Sequence, residues 1–190
     1  MMRNFIFIML IGSTLMGCQQ SPRKQYYLLS APTSTDHSVE ITRTLGLGPI
    51  EVAEYLQRSQ VILNRDANSL QMADNAYWGE PLQKGITRVL SINLMNQKPN
   101  RLIETFPWRS DSAPPVSIRL QIHELQIIDG SAVINASWKL IDTANAKILT
   151  QQHFIQKKPC SENARDIAEA YSSLLTELAA EMGVALERYQ

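Results

Sequence analysis

The sequence predicts an α+β domain of α/β-like character: a single mixed β-sheet with a C-terminal antiparallel meander and two main amphipathic helices packed on it. Three observations carry that expectation. Beyond Val116 the chain alternates apolar and polar residues between turn signals at Asp129-Gly130 and Asp142 to Asn145, as half-buried strands do. Two segments instead repeat apolar residues at helical spacing: Leu82, Ile86, Val89, Leu90 and Leu94, then Ala164, Ile167, Ala168, Tyr171, Leu174, Leu175, Leu178 and Met182. The first lies between strand-like stretches, and this strand–helix–strand order over residues 69 to 106 suggests parallel pairing.

The elements follow from the amino terminus. Met1 to Asn4 carries one positive charge, and Phe5 to Leu15 is an apolar run of eleven residues. A membrane-spanning helix needs roughly 20, so the run is too short to anchor and has the form of a secretory signal. Leu15-Met16-Gly17-Cys18 resembles the bacterial lipobox, in which a small residue precedes an obligatory cysteine. The resemblance implies cleavage after Gly17, a diacylglycerol thioether on Cys18 and acylation of the new amino group. A plain signal peptide, or a short buried helix with an incidental cysteine, is the alternative. Two or three acyl chains make dissociation negligible, whereas one holds a protein only marginally. Gln19 stands where inner-membrane lipoproteins often carry Asp, which points by analogy to the periplasmic face of the outer membrane. The expected organisation is a signal peptide over 1–17, a lipidated cysteine and tether over 18–25, and one globular domain over 26–190. Gln19 to Gln25 is seven residues, a reach of about 25 Å when fully extended. A domain so tethered stays near the bilayer, and a partner must come to it.

Tyr26 to Leu29 reads as a short strand, and Val39 to Leu47 as another running into a turn signal at Gly48-Pro49. Gln60 to Leu63 and Ser69 to Ala73 look like two short strands around Asn64 to Asn68. The first helix is expected from Glu80-Pro81, with Pro suited to the first helical position, to near Asn96. Arg101 to Phe106 returns as a strand, and Pro107 to Pro115 is a loop. The strand from Val116 slips phase at His123-Glu124, where a bulge is expected. Lys147 to Gln156 completes the meander. Ser161 is placed to cap the last helix, and Gly183 to fray or kink it late.

Composition narrows the function. Hydrophobic residues make up 44% of the chain and charges balance at 18 basic and 18 acidic, so a real core is affordable and no electrostatic footprint for nucleic acid exists. With Cys18 a thioether, Cys160 has no internal disulfide partner; it is buried, externally paired or, as favoured here, incidental or partly buried. His37, His123 and His153 are dispersed and lack ligand-spaced companions, so no metal site is expected. No serine sits in a nucleophile elbow, and Gly46-Leu47-Gly48-Pro49 lacks the rest of a phosphate loop. No catalytic residue, cofactor or enzyme activity is expected. The most distinctive stretch is Gly48 to Leu90, whose Tyr55, Arg58, Tyr77 and Trp78 are residue types that favour interfaces. Trp78 can equally be a packing staple beneath the first helix.

Here the chain resembles the PqiC-type (paraquat-inducible protein C) ABC-type transport auxiliary lipoproteins. The resemblance rests on the lipobox, Tyr26-Tyr27-Leu28-Leu29, Leu47-Gly48-Pro49, Glu54-Tyr55-Leu56-Gln57-Arg58-Ser59-Gln60-Val61, Trp78-Gly79-Glu80-Pro81-Leu82 and Thr87-Arg88-Val89-Leu90. Ala53 and Ser59 stand where Pro is common in the family, and Gln57 where Asp is. The resemblance implies a non-catalytic, outer-membrane-anchored subunit of an intermembrane lipid transport system. It would dock an inner-membrane-anchored MCE-domain (PqiB-like) protein, as a homo-oligomeric ring, and support envelope integrity. Tyr55, Arg58 and Trp78 would lie at or support that contact. The alternative is a lipid-binding carrier that holds the cargo itself, which requires an unfilled apolar cavity.

Overall fold

A computed structural model describes residues 22–33, 39–65 and 68–189. In chain order its elements are β1 (Gln25–Tyr27), β2 (Arg43–Val52), β3 (Gln60–Arg65), β4 (Leu70–Trp78), α1 (Leu82–Gln97), β5 (Arg101–Thr105), β6 (Val116–Ile128), β7 (Ser131–Asp142), β8 (Lys147–Pro159) and α2 (Ala164–Leu186). The α+β class, the mixed pairing, the meander and both helices are as the sequence predicts. The lipobox, Cys18 and His37 lie outside the described residues.

The strands differ from expectation in two respects: they form two hydrogen-bonded sheets, not a single one, and β4 and β5, which flank α1, fall in different sheets instead of pairing in parallel with each other. Five strands run in the order β5-β2-β6-β7-β8, and three in the order β1-β4-β3. The cause lies in the length of β6. Its ladder with β2 ends at Val52 opposite Ile122, where a short 3-10 turn, Glu54–Gln57, carries the chain away. The chain re-enters as β3, which lies beside β6 but takes its hydrogen bonds from β4. β2 is parallel to both β5 and β6, and β1 is parallel to β4.

Gly48-Pro49 is not a turn. It lies inside β2, at the register shift between Leu47 and Ile50, because ladders on both sides hold the strand through it. Gly48 has φ +123°, and a Cβ there would lie 2.6 Å from Phe106 Cβ; only glycine tolerates both demands. The expected bulge at His123-Glu124 is present as a register shift between Ile122 and Glu124. Asp129 and Gly130 have φ 48° and 68°, the paired positive values of a type I′ hairpin.

Leu82, Ile86, Val89, Leu90 and Leu94 of α1 are all buried, as is the predicted apolar face of α2. The helices pack on each other, α1 over β2 and β5 and α2 over β7 and β8. The opposing sheet face supplies Leu45, Leu47, Ile118, Ile122, Ile134, Trp138 and Leu140 to this core. Two details of α2 depart from expectation. Asn163, not Ser161, is the cap: its Oδ1 accepts from the Asp166 amide at 3.0 Å, because Asn163 is the extended residue adjoining the first turn. Gly183 does not fray the helix, which continues to Leu186. Instead it marks close approach to α1, since a Cβ there would lie 1.8 Å from Gln97 Oε1. The other face of the large sheet is polar, with Arg119, Gln121, His123, Lys139, Gln151 and His153 exposed.

Candidate functional site

The residues singled out from the sequence gather around the small sheet. Tyr55 stands in the Glu54–Gln57 turn, half-buried, and its Oη accepts a hydrogen bond from the Leu125 amide at 3.4 Å. Leu56 beside it is buried and pins the turn to the core. Arg58 is exposed and extended, leading into β3. Trp78 is only 8% exposed, and its ring stacks on Tyr171 of α2 at 6.2 Å between centroids. The Trp78 amide donates to Ser59 O at 2.7 Å, which joins the end of β4 to the residue after Arg58. Trp78 therefore turns inward; of the three side chains, those that reach solvent are Arg58 and part of Tyr55. Tyr171, stacked on Trp78, is fully buried, and burial pushes its phenol far above the usual range, with Tyr55 and Cys160 adding to the shift. It stays neutral at any physiological pH.

A second cluster carries no chemistry that sequence reasoning assigned. Arg88 donates through Nη2 to Glu80 Oε1 at 2.6 Å, through Nε to the same oxygen at 3.0 Å, and through Nη2 to Leu29 O at 2.8 Å. Around this clamp the N-terminal segment is tied repeatedly. The Gly79 amide donates to Tyr27 O at 2.8 Å, the Ser30 amide to Ser172 Oγ at 3.0 Å, and Asn96 Nδ2 to Pro32 O at 3.0 Å. Leu28 covers Gly79, where a Cβ would lie 3.1 Å from Leu28 Cδ2. The motif residues Gly79, Glu80 and Arg88 therefore hold the first described residues of the chain against β4 and both helices. No local spacing signals this clamp, since Glu80 precedes the helix that carries Arg88 and Leu29 lies far away in the chain.

Other candidate chemistry is weaker. His123 Nε2 lies 2.8 Å from Ser137 Oγ, and His153 Nε2 lies 2.6 Å from Asn135 Oδ1. The two rings sit 6.4 Å apart on the polar sheet face, yet among the described residues no group of three His, Cys, Asp or Glu side chains can hold a metal ion. Cys160 is half-buried, and burial, with Asp166 nearby, raises its thiol pKa, which keeps it protonated and a poor nucleophile. An open groove of about 550 Å³ runs between β2 and α1, lined by Pro49, Ile50, Gln83, Lys84 and Phe106. Among the described residues no helix is long and apolar enough to cross a membrane.

The fold and these clusters describe an α+β domain that grips its own N-terminal segment. The chain belongs to the family of ABC-type transport auxiliary lipoprotein components, whose model matches residues 27–183. No curated protein matches it. Among solved structures it is similar to an uncharacterised protein at 18% identity and a TM-score of 0.70, over 87% of this chain and 99% of that one. It is also similar to a Xanthomonas campestris protein at 12% identity and a TM-score of 0.68, over 86% of this chain and 98% of that one. A hypothetical Chlamydia trachomatis protein gives 10% identity and a TM-score of 0.50, over 74% and 95% of the respective chains. At these identities the likeness is one of fold.

Proposed function

We propose that this chain is the non-catalytic docking subunit of an MCE-type intermembrane lipid transport system. In this reading residues 1–17 are removed as a signal peptide, and Cys18 carries the acyl chains. Residues 18–25 tether the domain to the periplasmic face of the outer membrane, and an MCE-domain (PqiB-like) protein anchored in the inner membrane reaches it. Copies of the chain form a homo-oligomer, with Tyr55 and Arg58 presented to the contact and Trp78 supporting them. The observation that carries the reading is the clamp of Glu80 and Arg88 on Leu29. It fastens to the core a segment that emerges only seven residues after Cys18, as a fixture on a short leash requires. The carrier alternative is disfavoured because the buried faces of α1, α2 and the large sheet fill the interior with their own side chains.

The test is affinity capture of the tagged full chain from its own envelope, with co-purifying proteins identified. An MCE-domain protein should accompany the wild-type chain, and Tyr55→Ala with Arg58→Ala should reduce its recovery by about tenfold or more. Equal recovery with the double variant rejects the assigned surface. Phospholipid bound stoichiometrically to the chain in native mass spectrometry, with no protein partner, favours the carrier.

A further inference from the structure

We propose that the outer face of the small sheet is a second membrane contact: Tyr26, Leu28 and Tyr77, with Lys24, rest on the bilayer that holds the lipid anchor. This rests on the anchor proposed above and adds the orientation of the domain upon it. Tyr26 is 65% and Leu28 57% exposed, and alternation in an extended chain sets both on one side. The register pairs Tyr26 with Tyr77, and their rings lie 5.9 Å apart. Lys24 Nζ stands 5.2 Å from the Tyr77 ring centroid, and Arg23 beside it is exposed.

The occupant follows from place and chemistry together. Tyr26 is eight residues from Cys18, so it lies within about 28 Å of the anchored sulfur however the tether runs. β1 is parallel to β4, so the turn end of the β3–β4 hairpin faces the same way as the approaching tether. Tyrosine rings beside aliphatic carbon favour the headgroup level of a bilayer, and basic side chains there are drawn to anionic lipid. The acyl chains already supply affinity, so what the patch adds is a fixed tilt. β3 joins this sheet with Gln60 opposite Tyr77, so the seated domain holds the Tyr55–Arg58 turn close to the membrane.

The test uses the full acylated chain in vesicles of phosphatidylethanolamine and phosphatidylglycerol, with photoreactive benzoylphenylalanine placed at position 26, 28 or 151. Gln151 lies exposed on the other sheet and serves as the control. Irradiation should give lipid adducts at 26 and 28 and lose them at 151. Adducts no stronger at 26 and 28 than at 151, or adducts to a second copy of the chain, overturn the proposal. Flotation with the vesicles reads the anchor separately. A chain that floats yet gives no lipid adduct at 26 defeats the patch alone; a chain that does not float defeats the anchor and the patch with it.

Discussion

The five-stranded sheet and the three-stranded sheet are held by different means. In the large sheet β6, β7 and β8 pair over nearly their whole lengths; β6 and β7 each contribute an inward face, and β8 chiefly Phe154, to a core sealed by two helices. In the small sheet β1 pairs over three residues and β3 slips register twice against β4. It reaches the shared core through Val61, Ile62, Ala73, Ala76 and Trp78, and is tied further by Trp78 on Tyr171 and Arg88 on Leu29. A long regular ladder over an apolar core fixes a fold; a short irregular one, tied at a few points, leaves side chains free to meet something else. The proposed docking turn and the proposed lipid contact both belong to the second kind.

The comparison breaks most visibly at the core. Trp138 is buried under α2, and its Nε1 donates to Glu181 Oε1 at 3.2 Å. Trp138→Ala should cost about 3–5 kcal/mol in urea unfolding, while Tyr26→Ser should stay within about 0.5 kcal/mol. Similar costs for the two would erase the distinction. Gly48→Ala comes next, because it meets Phe106 with a positive φ; a loss of about 1–3 kcal/mol is expected, read from the same unfolding midpoint. Arg88→Met should lower global stability by only about 1 kcal/mol, given a partly exposed ion pair. Its larger signature should be local: hydrogen exchange at Gly79 and Ser30 should accelerate while the β6 and β7 amides stay protected.

Acid gives the smallest effect and sharpens the picture at the helix ends. Hydrogen bonds from Ser161 and Asn163 hold the Asp166 carboxyl below its usual range, and a hydrogen bond from Lys98 does the same for Glu187. A depressed carboxylate contributes stability that is complete above its unfolded pKa and is lost as pH falls through the folded value. Stability should therefore stay level on acidification until about pH 4 and fall below it. Asp166→Asn, read by the same melts, should flatten part of that fall.

The large sheet was legible in the sequence because its signals are local and agree. Alternation from Val116, the slip at His123-Glu124 and the Asp129-Gly130 turn each match the ladder that forms. The helical faces were legible for the same reason, since one spacing decides which residues are buried. Gly48-Pro49 misled because its local turn signal is overruled by strands that flank β2 in space and lie far away in sequence. The split into two sheets was hidden likewise, as it depends on where β2 leaves β6. Asn163 displaced Ser161 as the cap because backbone geometry, not residue preference, selects between neighbouring candidates. At the candidate site, the motif over Gly48 to Leu90 showed that Tyr55, Arg58 and Trp78 belong to one stretch of chain, which the structure gathers around the small sheet. That Trp78 turns inward onto Tyr171, and that Arg88 grips Glu80 and Leu29, depends on contacts with α2 and with the segment after β1 that no spacing encodes.

The claim beneath the functional reading is covalent, and intact-mass spectrometry of the chain extracted from outer-membrane fractions tests it most directly. The account predicts an amino terminus at Cys18 carrying a diacylglycerol thioether and an acylated amine. A chain recovered from the aqueous fraction with an unmodified thiol at that residue would contradict it.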